Sequence, residues 1–161
     1  HAATCAVLAS SADWVVVRPF RAIGPGDMQS VVAAAARAAV EGQTFEMTDG
    51  LQIREWNHVD AVAAGIVAAG AHPQARQNIV NVGGGPRLSV LDLVQQVFQV
   101  AGMDPRLVRP GFRSRRPHEV DTLFGDHRKA ADLWGPIEQP AMEETLRTML
   151  AEQRTCSGLV V

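Results

Sequence analysis

Several residue types that often carry chemistry are rare or missing in this sequence of 161 residues. Tyrosine is absent, so no phenol hydroxyl within the chain can act as an acid or a base. The two cysteines, Cys5 and Cys156, lie near opposite ends with no metal-ligand or redox spacing. We therefore predict no metal site and no redox motif.

Apolar runs long enough to cross a bilayer are also missing. The longest runs, such as 31–36 and 61–71, are shorter than the roughly 20 residues that a membrane span needs. No signal-peptide pattern opens the chain. Apolar residues make up 47% of the sequence, charged residues 20%, and the net charge is −2. This composition is typical of a globular protein without a membrane span, and we expect a cytoplasmic location.

The first half of the chain alternates between strand and helix patterns. Residues 1–11 are rich in alanine and have helical character, and the apolar run 14–17 predicts a buried parallel strand that Pro19 ends. Asp27 is predicted to cap a helix that runs to about Glu41 and ends at Gly42. Further predicted elements follow in the order of the chain: strands at 44–47 and 51–56, and a helix from Asp60 to about Gly70.

The alternation continues in the second half. Residues 78–82 predict another buried strand, and Ser89 with Asp92 resembles a capping box for a helix that stops at Gly102. The remaining predicted elements are a short strand at 104–108, a helix from Asp126 to Trp134, and a final helix from Pro140 to about Gln153. Strands that alternate with helices indicate an α/β fold with parallel pairing.

Five segments, in the right order and covering nearly the whole chain, carry a more specific signal. Residues 15–26, which read V-V-V-R-P-F-R-A-I-G-P-G, resemble the pattern R-P-x-N-x-Y-G-P-G of the extended short-chain dehydrogenases, the NAD-dependent epimerase/dehydratase family. The other four segments are similar to that family's R-D-F-x-H-V-x-D-V-A, N-V-G-x-G, R-P-G-E/D-V and D-x-x-K-A motifs: 54–63, 81–85, 116–120 and 126–130.

The resemblance implies the C-terminal part of a Rossmann-like, doubly wound parallel sheet together with a small α/β substrate-binding domain. Residues 1–26 would be the last part of the dinucleotide-binding domain. Residues 27–161 would be mainly substrate-binding, with 51–82 contributing back to the Rossmann sheet.

Two family motifs have no counterpart in these residues. The Gly-rich phosphate loop G-x-x-G-x-x-G is absent, and although Gly83 to Gly85 follows a strand, the family has a substrate-domain turn there. The catalytic Tyr-x-x-x-Lys is also missing. His1 and Cys5 could be aligned with it, but the family's spacing to the Arg-Pro pair places the motif upstream of residue 1. We therefore predict no catalytic residue within the chain.

The resemblance implies specific binding roles. Pro19 and Phe20 would meet the nicotinamide end of NAD or NADP, unless Pro19 is only a strand terminator. Arg54 and Arg116 would clamp the substrate's diphosphate, because a guanidinium offers paired donors that match phosphate oxygens. Glu119 would accept hydrogen bonds from ribose hydroxyls.

Two further residues complete the predicted substrate side, Arg21 and Met47. Arg21 stands where the family usually has an asparagine that contacts phosphate or sugar, so its charge indicates either phosphate binding or a different ligand. His58 has the side chain of an acid-base group, but we interpret it as a structural residue before the Asp60 cap.

The arginine-rich segment 106–116 invites a nucleic-acid interpretation, but only Phe112 interleaves with the arginines and the net charge is negative. We interpret it instead as a phosphate-seeking loop, and predict neither nucleic acid nor membrane as a partner.

The function implied by the resemblance is the substrate-binding portion of an NAD(P)-dependent nucleotide-sugar epimerase or dehydratase that works as a homodimer, inactive without its other half. Two alternatives stay open: a noncatalytic nucleotide-sugar or dinucleotide-binding protein of the same fold, and a reductase of the superfamily that acts on a non-nucleotide substrate.

Overall fold

The computed structural model of the chain describes residues 2–158. His1, which could be aligned with the catalytic tyrosine motif, lies outside the described residues, as do 159–161. Among residues 2–158, no helix is both long enough and apolar enough to span a bilayer.

Helices and short strands alternate along the described residues. The helices are α1 (Ala2–Leu8), α2 (Val31–Val40), α3 (Val59–Ala71), α4 (Val90–Val100), α5 (Arg128–Trp134) and α6 (Met142–Cys156). The strands are β1 (Val15–Pro19), β2 (Ala22–Ile23), β3 (Phe45–Glu46), β4 (Ile53–Glu55), β5 (Asn57–His58), β6 (Asn78–Val82), β7 (Arg87–Ser89), β8 (Val108–Arg109) and β9 (Thr122–Leu123). Two short 3₁₀ helices cover Pro73–Ala75 and Pro105–Leu107.

Parallel pairing dominates the strands. β1 pairs with β6 over five residues, from Val15 opposite Asn78 to Pro19 opposite Val82. β2 pairs with β5 and β3 with β8, both parallel, while β4 lies between antiparallel β7 and parallel β9. The predicted α/β fold with parallel pairing is confirmed. Strands 44–47 and 51–56 are not hydrogen-bonded to each other, because each finds a partner from later in the chain.

The main core lies between α2, α4 and α6. The alanine-rich face of α2 is buried, which lets the larger side chains of α4 approach closely. Leu93, Val97 and Phe98 of α4 and Leu146 of α6 are at most 1% exposed. Burial of each such side chain contributes about 1.5–3 kcal/mol, so this layer anchors the loops that carry the site.

Two predicted helix caps were wrong by a few residues. Ser30, not Asp27, caps α2, since its Oγ accepts a hydrogen bond from Ala33 N at 3.1 Å. The carboxylate of Asp27 instead accepts from Gln29 N and Ser30 N and so shapes the turn before the helix. The predicted end at Gly42 is confirmed by its φ of 68°, a left-handed conformation that glycine adopts without strain.

His58 caps α3 in place of Asp60, because its Nδ1 accepts from Asp60 N at 3.1 Å. This contact gives His58 the structural role that the sequence favoured. The cap of α4 is as predicted, with Ser89 Oγ accepting from Asp92 N. The predicted strand at 104–108 was wrong, because Pro105 opens a 3₁₀ turn capped by Asp104 and β8 begins only at Val108.

Candidate functional site

Two adjoining clefts contain all seven residues predicted to bind cofactor or substrate. The larger, which we call the central cleft, has a volume of about 570 Å³ and is lined by all five residues of the predicted substrate side: Arg21, Met47, Arg54, Arg116 and Glu119. The smaller, which we call the inner cleft, has a volume of about 350 Å³, and its lining includes Pro19 and Phe20. Arg21 and Arg54 line both clefts, so the two spaces adjoin at these residues.

Separate segments deliver these side chains. Pro19 ends β1, and Phe20 and Arg21 form the step into β2, with Phe20 N bonded to Val82 O at 2.9 Å. Arg54 is the middle residue of β4. Met47 follows β3, while Arg116 and Glu119 lie in the loop between β8 and β9. The first turn of α2 completes the central cleft through Ser30 and Val31.

Arg54 is committed to the protein itself. Its Nη1 donates to Ile53 O at 2.8 Å and to Asp121 O at 3.2 Å, and its Nη2 donates to Val120 O at 2.7 Å and Glu119 Oε1 at 3.5 Å. The side chain is 8% exposed. In this arrangement Arg54 links residues 119–121 to β4, and both of its terminal nitrogens already donate hydrogen bonds within the protein. Arg54 therefore forms part of the wall of both clefts.

Arg21 has a different environment. Its guanidinium carbon lies 5.3 Å from the ring centroid of Trp56, a cation–π distance. No carboxylate of residues 2–158 lies within 4 Å of its nitrogens. Arg21 is an exposed residue, but its pKa is lowered, first by partial desolvation of the guanidinium and then by the positive charge of Arg54, against which Asp27 and Glu119 act.

The arginine-rich segment divides into paired and unpaired members. Arg115 bonds Asp49 at 2.7 Å and Asp121 at 2.5 Å, which ties the loop to the turn after β3. Arg106 is paired with its neighbour Asp104 and lies away from the clefts. Arg113 and Arg116 line the central cleft, and within the described part of the chain neither forms an ion pair.

Sequence reasoning missed a buried pair beside the inner cleft, Glu55 and His127. His127 Nε2 lies 2.8 Å from Glu55 Oε2, and the Glu55 side chain is only 1% exposed. The carboxylate also accepts from Gly84 N at 2.8 Å and Gly125 N at 3.0 Å. Phe20 packs edge-on against the His127 ring, with centroids 5.3 Å apart. The pair thus supports one wall of the inner cleft.

The protonation of this pair follows from its contacts. Burial by itself raises the pKa of Glu55, but the hydrogen bond from His127 and the two backbone N–H groups outweigh it, so the pKa lies below its usual value. The other ring nitrogen of His127, Nδ1, is buried and has no hydrogen-bond partner among residues 2–158. The sequence contained one signal for this pair. Glu55 lies within the predicted strand 51–56, and a carboxylate that is buried in a strand needs a hydrogen-bonding partner.

The glycine run 83–85 does not act as a phosphate loop in this structure. Gly84 N donates to Glu55 and Gly85 N donates to Asn57 Oδ1, so these groups are already bonded inside the protein. A side chain at Gly83 would collide with the Glu55 carboxylate. The glycines therefore allow a close approach to the chain's own acidic residue.

A third cavity, of about 680 Å³, lies beside α5 and contains none of the predicted residues. Its lining includes His127 and Arg87, and the guanidinium carbon of Arg87 lies 3.7 Å from the ring centroid of Phe124.

Comparison with known proteins gives the family. The sequence model of the NAD dependent epimerase/dehydratase family matches residues 2–83, about half of the chain. The chain is 27% identical over 150 residues to GDP-6-deoxy-D-mannose reductase of Pseudomonas aeruginosa, covering 86% of the chain and 47% of the reductase. It is 30% identical over 124 residues to UDP-glucose 4-epimerase of Bacillus subtilis, covering 72% of the chain and 34% of the epimerase.

A solved structure agrees with these matches at the level of the fold. It is that of the dTDP-glucose 4,6-dehydratase DesIV from Streptomyces venezuelae, determined with NAD bound. The two structures superpose with a TM-score of 0.81 at 23% identity, over 91% of this chain and 45% of that one. The chain spans less than half the length of each of these proteins. It has their Rossmann-type α/β fold, and it belongs to the NAD-dependent epimerase/dehydratase family.

Proposed function

We propose that the chain forms the nucleotide-sugar-binding side of an NAD(P)-dependent epimerase, dehydratase or reductase. One observation carries this proposal. The residues predicted to contact the substrate come from the step between β1 and β2, the turn after β3, strand β4 and the β8–β9 loop, and they line a single cleft. That cleft adjoins the inner cleft, which Pro19 and Phe20 border.

The charges in the central cleft suit a diphosphate. Arg113 and Arg116 have guanidinium groups free of ion pairs within residues 2–158, and such groups bind phosphate oxygens through paired donors. The first turn of α2 adds the positive end of a helix dipole. We place the diphosphate between these two features.

Glu119 keeps the role of a ribose ligand in this proposal. Its side chain is 29% exposed, and its distance of 3.5 Å to Arg54 leaves the carboxylate able to accept further hydrogen bonds. Arg54 acts one step back from the ligand. It holds the backbone of residues 119–121 and so sets where Glu119 stands.

The residues of the inner cleft fit one end of a dinucleotide. Pro19 has no N–H and Phe20 N is bonded to Val82 O, so the two offer ring surfaces rather than free donors. A flat nicotinamide ring suits such a wall. NAD or NADP, when bound, would accept a hydride from the sugar and return one. The part played by these residues is to orient the two rings and exclude water from between them.

Calorimetric titration of the chain with UDP, GDP and dTDP tests the proposal. We expect at least one of them to bind. Arg116→Ala should weaken that binding by about 10- to 100-fold, because a charge-assisted hydrogen bond contributes about 1.5–3 kcal/mol. The matched control is Arg106→Ala, since Arg106 lies outside the cleft and is paired with Asp104. Its affinity should equal that of the wild type.

Two results would contradict the proposal. One is no binding of any of the three nucleotides at millimolar concentration by a chain that is folded by circular dichroism. The other is binding that Arg116→Ala leaves unchanged. Arg54→Ala separates the wall from the ligand contacts: we expect it to lower both affinity and thermal stability, because three backbone carbonyls lose their donor.

A further inference from the structure

Arg21 occupies the junction between the two clefts. It lines the central cleft with Arg116 and Ser30, and it lines the inner cleft with Pro19 and Phe20, whereas Arg116 and Ser30 border the central cleft alone. Under the function proposed above, the diphosphate lies beside Arg116 and the nicotinamide beside Phe20. The sugar must reach the nicotinamide for hydride transfer. It therefore lies between them, next to Arg21.

Buried neighbours hold Arg21 in place. Its carbonyl oxygen accepts hydrogen bonds from Asn57 N at 3.0 Å and from Asn57 Nδ2 at 3.1 Å. Asn57 is fully buried, and so is Trp56, on whose ring the guanidinium rests. The indole is fixed in turn by its Nε1, which donates to Leu88 O at 3.1 Å. Both the anchor and the platform of this charge are preorganised.

No anion within the described residues neutralises Arg21. The nearest carboxylates that act on it, those of Asp27 and Glu119, lie beyond ion-pair distance, and Glu119 is paired with Arg54. Arg54 itself is a second positive charge close by. A neutral sugar would place only hydroxyl groups against this charge. A carboxylate would supply both the missing charge and a planar pair of acceptors.

We propose that Arg21 makes the site selective for a nucleotide sugar whose sugar carries a carboxylate. This inference rests on the proposed function. The family motif has a neutral asparagine at this position, so the substitution changes the charge at the junction where the proposed function places the sugar. Arg21 is a specificity-determining residue, and no step of the hydride transfer needs it.

The experiment compares three ligands and three proteins. UDP, UDP-glucose and UDP-glucuronate are titrated by calorimetry into the wild type, Arg21→Asn and Arg21→Lys, with GDP, GDP-mannose and GDP-mannuronate as the series if the chain binds GDP instead. We expect the wild type to bind the uronate about tenfold or more tightly than the neutral sugar. Arg21→Asn should remove that preference and weaken the bare nucleotide by a much smaller factor than the uronate. Arg21→Lys should keep part of it.

Each other outcome overturns the inference in a recognisable way. Equal affinity of the wild type for the neutral nucleotide sugar and for the uronate would mean that Arg21 does not recognise a carboxylate. A loss in Arg21→Asn that is the same for all three ligands makes Arg21 a diphosphate ligand. If the chain binds only dTDP, the dTDP sugar and the dTDP uronate form the series. If none of the three bare nucleotides binds, the proposed function fails, and the inference falls with it. Thermal unfolding of each variant verifies that the fold is retained, and Arg113→Gln is the control in the same cleft, expected to weaken both sugars alike.

Discussion

Glu55 joins strand β4 to the glycine run 83–85 and to the segment 125–127, and its replacement by glutamine is the sharpest test of the structure. The carboxylate accepts hydrogen bonds from Gly84 N, Gly125 N and His127 Nε2. Glutamine has nearly the same shape but only one acceptor oxygen. In either orientation of the amide, its NH₂ group faces a backbone N–H, either Gly84 N in the part-buried contact or Gly125 N in the buried one, and that donor loses its acceptor.

The magnitude follows from this count. An unsatisfied buried donor costs about 1–3 kcal/mol, and the loss of charge from the remaining bonds adds about 1 kcal/mol. We therefore expect Glu55→Gln to lower the free energy of unfolding by about 2–4 kcal/mol. For a chain of this size that corresponds to a fall in Tm of about 5–15 °C, measured by circular dichroism and by urea unfolding.

The pH dependence gives an independent check. The pKa of Glu55 is lower in the folded chain than its usual value. Its contribution to stability is therefore complete above the carboxyl pKa of the unfolded chain and is lost as the pH falls through the folded pKa. The acid side of the stability profile should be flatter in Glu55→Gln than in the wild type.

The matched control is Glu143→Gln. The Glu143 side chain is 63% exposed and contacts only Arg147 on the same helix, so its change should stay within about 0.5 kcal/mol. If Glu55→Gln were as mild as this control, the carboxylate would not be the buried, three-fold hydrogen-bonded group described above.

Two further predictions concern glycine and the arginine loop. Gly85→Ala should be strongly destabilising in urea unfolding, because its Cβ would collide with the carbonyl oxygen of Trp56. Its control is Gly70→Ala, which lies in open space on α3 and should be neutral or stabilise by up to about 1 kcal/mol. Similar effects of both variants would refute the close contact between Gly85 and the Trp56 carbonyl. Arg115→Ala should speed proteolysis of the loop between β8 and β9 and raise the pKa of Asp49 toward its usual value in a carboxyl NMR titration, because the hydrogen bond from Arg115 is the main cause that lowers it. An unchanged Asp49 titration would show that the pair does not form in solution.

Sequence patterns were most reliable where the signal is local. Runs of apolar, β-branched residues at 14–17 and 78–82 marked the strands that pair as β1 and β6, because strands of a parallel sheet are typically apolar on both faces. The prediction that the first of these strands is buried was wrong, since β1 is half-buried at Val15 to Val17 and exposed at Arg18 and Pro19. The motifs also identified residues that the fold brings together in one cleft. Their binding roles stay predictions.

Long-range hydrogen bonds were the part that the sequence could not predict. The motif around Arg54 implied a contact with the substrate's diphosphate, yet its donors are bonded to two backbone carbonyls and a carboxylate of residues 119–121, some 65 residues later in the chain. Glu55 and His127 are 72 positions apart, and no spacing rule connects them. Caps failed for a related reason: Asp27, Ser30 and Asp60 all have suitable side chains, and the path of the preceding turn decides which one reaches the helix N–H groups.

The contact between Arg21 and Trp56 also provides an intrinsic fluorescence probe of the two clefts. Because tyrosine is absent, emission excited at wavelengths longer than those that phenylalanine absorbs comes from Trp14, Trp56 and Trp134. Of these, Trp56 alone is fully buried, and a guanidinium rests on its ring at the junction of the clefts. Any ligand that draws this charge away from the indole changes the electric field across the chromophore. We therefore expect a ligand that binds at this junction to shift the emission wavelength of Trp56, which can be measured without an added label.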